Sequence, residues 1–177
     1  YLNAFGYAAL FNNTTGDYNT GIGTNSLFTN TTGTRNTAIG VNSLYSNSTS
    51  SGNIAVGTDV LFSNSTGIQN TAVGDAALTT STSNSNTAIG FNSLNKTTAA
   101  NNTAVGASSA KNSTTASSMI AIGALALGTG ITTGTQDIAI GVNALGKNTS
   151  GANNVGVGTN ANYSNLTGSG NVMVGHN

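Results

Sequence analysis

The apolar positions of this chain do not keep helical spacing; they fall in short clusters repeated at a nearly constant distance. Each cluster ends on a glycine, at Gly6, Gly23, Gly40, Gly57, Gly74, Gly90, Gly106, Gly123, Gly141, Gly158 and Gly175. Successive gaps are 17 residues, apart from two of 16 and one of 18. The residue before each of these marker glycines is apolar in every copy: Phe5, Ile22, Ile39, Val56, Val73, Ile89, Val105, Ile122, Ile140, Val157 and Val174. Two before the marker stands Ala or Gly, with Met173 the exception. Leu recurs four after it, at Leu10, Leu27, Leu44, Leu61, Leu78, Leu94, Leu127 and Leu145. A fixed period of this length is the signature of a stacked-repeat architecture.

Each unit offers two strand-like runs, Asn-Thr-Ala-Ile/Val-Gly and x-Asn-Ser-Leu, joined by Asn/Thr/Ser/Gly turns such as Asn30 to Gly33. The first run is rich in β-branched residues, which favours strand. One unit is too small to bury its own few apolar groups, but stacked units share a continuous core and pair each strand with its copies above and below. The chain is therefore expected to be all-β: a parallel β-solenoid, or β-roll, of about 10–11 coils of ~17 residues, in a single repeat domain spanning residues 1–177. Because its first and last residues fall inside repeats, the sequence reads as a fragment of a longer fibrous protein.

Alternation along the first run puts Ile/Val with the residue at three before the marker on one face and Ala/Gly on the other. Neither face carries charge, so both are expected to be buried, one in the coil interior and one against a second copy of the chain. A rotationally symmetric homo-oligomer satisfies that requirement for every coil at once; the alternative is a monomeric solenoid whose small residues fill a narrow interior.

Four rows follow from stacking. Asn recurs four before the marker at Asn19, Asn36, Asn53, Asn70, Asn86, Asn102, Asn154 and Asn171, where side-chain amides are expected to bond from coil to coil as a structural ladder. A partial row of Asn25, Asn42, Asn92, Asn143 and Asn160 lies two after the marker. Phe11, Phe28, Tyr45 and Phe62 follow the recurrent Leu in four consecutive coils, and such an aromatic row either offers rings to a sugar receptor or closes the edge of a core. Asn-x-Ser/Thr recurs at one turn offset, at Asn13, Asn30, Asn47, Asn64, Asn148 and Asn165, candidate glycan acceptors if the host glycosylates.

Composition narrows the function. Four basic residues balance four acidic ones, so the net charge gives no field to steer nucleic acid or a membrane surface. There is no Cys and no Pro, and the acids are all Asp. Asp17, Asp59, Asp75 and Asp137 take different offsets from their markers, so stacking does not gather them, and His176 lies in an incomplete final repeat. No catalytic residue, metal site or cofactor site is expected. No apolar run approaches the ~20 residues that span a bilayer. Thr-x-Thr pairs such as Thr29/Thr31 and Thr80/Thr82 do not share one offset, which leaves an ice-binding solenoid as the weaker functional class.

Units such as Asn36-Thr-Ala-Ile-Gly-Val-Asn-Ser-Leu44 and Asn86-Thr-Ala-Ile-Gly-Phe-Asn-Ser-Leu94 resemble the head repeats of trimeric autotransporter adhesins and repeats of phage tail-fibre proteins, across essentially the whole chain. The resemblance implies a left-handed parallel β-roll, a homotrimer, and an extracellular place at a cell surface or on a virion fibre. It also implies attachment to a host-surface glycan or protein. The unit here is longer than the adhesin type and has Leu where those heads usually carry Ala, a departure that fits the fibre-like relatives better.

Overall fold

The computed structural model describes residues 1–176. Eleven strands occur among them: β1 (Leu2–Phe5), β2 (Asn19–Ile22), β3 (Thr37–Ile39), β4 (Ile54–Val56), β5 (Thr71–Val73), β6 (Thr87–Ile89), β7 (Thr103–Val105), β8 (Ile120–Ile122), β9 (Ile138–Ile140), β10 (Val155–Val157) and β11 (Val172–Val174). They form one parallel sheet in sequence order, with no helix among the described residues. Register follows the markers: Ala38 pairs Ala55, Ala55 pairs Ala72, and Ala72 pairs Ala88. The fold is a parallel β-solenoid of about ten turns with ~17 residues per turn. Each coil is numbered below by its strand.

The second run is not a strand. In coil 2, Asn25 and Leu27 have φ of 56° and 52°, and the same two offsets are left-handed through coil 10. A third left-handed residue precedes the ladder Asn, as at Arg35 with φ 57°. Left-handed backbone costs a non-glycine residue roughly 1–2 kcal/mol, and hydrogen bonds between coils offset it. Asn25 N–H donates back to the Tyr7 carbonyl at 2.9 Å, whereas Leu27 N–H donates forward to Ser43 at 3.0 Å. Asn at the first of these offsets fits, because its short amide tolerates this conformation. Leu at the second is held there by burial.

The core lies between the strand and this turn. Leu27, Leu44, Leu61, Leu78, Leu94, Leu127 and Leu145 are fully buried, as are Ala38, Ala55, Ala72, Ala88, Ala104, Ala121 and Ala139. A Cβ on Gly21 would sit 3.4 Å from Leu10 Cγ, ordinary van der Waals contact, so the strand position facing the Leu has room for Ala and little more. Fully burying each Leu contributes roughly 1.5–3 kcal/mol, repeated in every coil that carries it; Ala110 and Asn162 take its place in coils 7 and 10.

The marker glycines have φ between 114° and 141°. A Cβ on Gly90 would stand 2.6 Å from the Gly106 carbonyl oxygen. Conformation and coil spacing both demand glycine there.

The pleat alone left open which face of the strand turns inward, and the structure decides it. The Ala/Gly row fills the interior, while the Ile/Val row points outward. Ile22, Ile39, Ile89, Ile122 and Ile140 are 38–40% exposed, and Val56, Val73, Val105 and Val157 at the same offset are half-buried, so the strip stays accessible along the stack.

Candidate functional site

The ladder Asn residues sit at the start of each coil, buried in coils 2 to 7 and in coil 10. In coils 2 to 5 and in coil 7 the Asn reaches forward with both ends of its amide, whereas Asn86 and Asn154 turn the nitrogen back to Ser83 and Asp137. Asn36 Oδ1 accepts the Asn53 main-chain N–H at 3.0 Å, and Asn36 Nδ2 donates to the Ser50 carbonyl at 2.9 Å. Asn53 repeats this, accepting from Asn70 N–H at 3.0 Å and donating to Gly67 at 2.9 Å. The stacking is therefore mainly side chain to backbone. Direct amide-to-amide contacts supplement it, such as Asn70 Nδ2 to Asn53 Oδ1 at 3.2 Å.

The sequon asparagines form a further ladder that the sequence reading took for turn surface. Asn30, Asn47, Asn64 and Asn148 are fully buried, and Asn13 and Asn165 are half-buried. The nitrogens that would carry a glycan are engaged: Asn13 Nδ2 donates to Gly16, Asn30 to Gly33, Asn47 to Ser50, Asn64 to Gly67, Asn148 to Gly151 and Asn165 to Gly168, at 2.8–3.1 Å. Asn30 Nδ2 also reaches Asn13 Oδ1 at 2.7 Å, and Asn47 reaches Asn30 at 3.0 Å. In the folded coil these residues are interior fasteners. Their shared offset was the signal, since a free surface turn has no reason to keep one residue type in register. Of the row two after the marker, Asn25 bonds Asn42 at 3.1 Å and Asn42 bonds Asp59 at 3.0 Å.

The aromatic row is assembled as expected. Ring centroids of Phe11, Phe28, Tyr45 and Phe62 are 5.6, 5.2 and 5.1 Å apart, with planes within 8° of parallel. The inner ring faces are therefore turned on one another. A sugar seeking a face to stack on meets mainly edges, which fits the edge-closing role.

Coils 8 and 9 depart from the pattern. Met119 and Asp137 replace the ladder Asn, Thr132 replaces the sequon Asn, and the coil between Gly123 and Gly141 has the 18-residue spacing. The fully buried Asp137 carboxylate accepts Asn154 N–H at 2.8 Å, Asn154 Nδ2 at 3.1 Å and Asn148 Nδ2 at 2.7 Å. Burial pushes this carboxyl above the usual carboxylate range, against the pull of those three bonds. Asn148 Oδ1 is buried with no partner, whereas Asn64 Oδ1 at the same offset accepts Gly67 N–H at 2.9 Å.

Among the described residues, no three His, Cys, Asp or Glu side chains come together, and no helix is long and apolar enough to cross a membrane. A shallow depression of about 260 Å³, lined by Arg35, Ser51, Gly52, Ile68 and Gln69, holds no acid–base pair. What the molecule presents is surface, chiefly the outward strip in which Ile/Val alternates with Thr20, Thr37, Ile54, Thr71, Thr87, Thr103, Ile120, Ile138 and Val155. No protein-family model matches the chain, and neither a curated protein nor a solved structure matches it.

Proposed function

We propose that this chain is a structural and adhesive segment of a homotrimeric attachment fibre, outside the cell or on a virion, that brings its bearer into contact with a cell surface or matrix. The observation that carries this reading is the unbroken, uncharged, β-branched strip on the outer face of all the inner strands. Contiguous apolar patches of such extent mark association surfaces, and a periodic strip on a rod is matched most simply by the same strip on another copy. The three-fold count comes from the resemblance to adhesin heads. Sedimentation equilibrium tests it: three chain masses are expected for the native protein, and a folded monomer for the Ile89→Asp, Ile122→Asp double variant. A native protein that stays monomeric at high concentration would sink the trimer.

The competing structural reading is a passive spacer or filament subunit with no receptor of its own. Retention of the trimer on cells or matrix separates the two, because a spacer does not bind. A second functional reading draws on Thr20, Thr37, Thr71, Thr87 and Thr103, which share one offset on the flat outer strip. If that strip meets ice instead of protein, the monomer will show thermal hysteresis, and the Thr87→Tyr variant will lose it.

A further inference from the structure

The balanced net charge hides an uneven distribution. Three of the four basic residues lie on one corner of the solenoid, five or six residues after their markers: Lys96 in coil 6, Lys111 in coil 7 and Lys147 in coil 9. This is the corner that carries the aromatic row in coils 1 to 4. Lys96 and Lys147 are exposed and Lys111 is half-buried. At the inter-strand spacing of ~4.8 Å, the three span about 14 Å along the axis. No acid occupies this corner in those coils. Asp59 and Asp75 follow their markers by two and one residues in coils 4 and 5, and Asp137 is enclosed in the core.

We infer that this lysine corner binds a linear acidic polysaccharide lying along the rod axis. Solvated ammonium groups a few ångströms to about a Debye length apart act together on a polyanion, and a rod offers them in a line matched to an extended chain. Their neighbours suit sugar hydroxyls: Asn95, Thr98, Asn112 and Thr129 spend their donors on the Ala76, Thr114, Gly128 and Gly146 carbonyls, which leaves their side-chain oxygens to accept from a sugar. Tyr163, one coil further on at the same corner, has Lys147 Nζ over its ring at 5.0 Å from the centroid. That contact uses a ring face on which a nucleic-acid base would stack, so the corner favours a saccharide over single-stranded DNA. The inference rests on the attachment reading, to which it adds a ligand class.

The test uses the full chain with dextran sulfate as probe, neutral dextran and oligothymidylate as comparisons, and sedimentation on the same samples. Wild type is expected to bind dextran sulfate, to ignore neutral dextran, and to weaken as salt rises. The Lys96→Gln, Lys111→Gln, Lys147→Gln variant should lose affinity by about tenfold or more, while Arg35→Gln, on a different corner, should keep it. Absence of binding by wild type, equal binding by the triple variant, or an equal loss in Arg35→Gln would overturn the inference. Oligothymidylate binding as tightly as dextran sulfate would overturn the ligand class. If self-association persists while polyanion binding is absent, this inference fails and the fibre reading survives; a monomer that binds through the lysines gives the reverse outcome.

Discussion

Coils 2 to 4 and coils 8 and 9 share a backbone plan and a core, yet they differ at the polar positions inside the turn. The former have Asn19, Asn36 and Asn53 in the forward ladder and Asn30, Asn47 and Asn64 in the turn ladder, with every amide partnered. The latter have Met119 and Asp137 in the first row and Thr132 and Asn148 in the second, with one buried oxygen left over. Strand pairing continues undisturbed through both, since Ile120 still pairs Ile138 and Ala121 pairs Ala139. The Leu and Ala core thus fixes the coil, and the amide ladders are a separate layer of stabilisation that coils 5 to 9 each partly forgo, coils 5 to 7 by having Ser81, Thr97 and Ser113 in the turn row.

The strongest way to break the comparison is to give a regular coil the defect of an irregular one. Asn53→Leu would leave Asn70 N–H without its buried acceptor and take one of two donors from the Gly67 carbonyl, which Asn64 Nδ2 still reaches. The cost is roughly 2–4 kcal/mol, at about 1–3 for the orphaned N–H and ~1 for the second bond. Urea denaturation should show the full loss; a midpoint within error of wild type would remove the ladder from the stability account. Next in size is the aromatic row peculiar to the N-terminal coils. Tyr45→Ala breaks two ring stacks worth about 0.5–1.5 kcal/mol each beyond their buried area, and thermal melting should register it.

Repair should act in the opposite direction. Asp137→Asn keeps an oxygen for Asn154 N–H and removes a buried charge, so it should raise stability at neutral pH by about 1 kcal/mol or more. The sign of the pH dependence follows from the raised folded pKa. Folding favours the protonated carboxyl, so its contribution is fully present below the ordinary Asp value and is lost as pH rises through the folded one. Melting temperatures of wild type and Asp137→Asn should therefore converge on acidification and separate towards neutrality; a constant difference would exclude the titration. The smallest effect is local. Amide hydrogen exchange in the turn of coil 8, around Gly128 to Gly134, should be faster than in the matching turn of coil 3.

Much of this was legible because the period puts equivalent residues in register. Gly markers, the Ala beside the core Leu, the forward Asn ladder and the stacked rings each required only that position n meet position n + 17. Three things were not legible. The run containing Asn25 and Leu27 reads as strand because its apolar and polar residues alternate, whereas its left-handed φ values arise from how neighbouring coils share hydrogen bonds. The inward orientation of Asn30 and Asn47 was hidden because Asn-x-Ser/Thr is as natural in an exposed turn as in a buried one. The lysine corner was obscured for another reason: summing charge over the chain discards position.

The forward ladder also bears on how such a rod is made. Asn36 presents its carbonyl to the main chain of Asn53 and its nitrogen to that of Ser50, both in chain that is synthesised later. A ribosome releases the N-terminal coil first, so a coil that closes on itself through the Ser50 bond already holds out an acceptor for the first N–H of its successor.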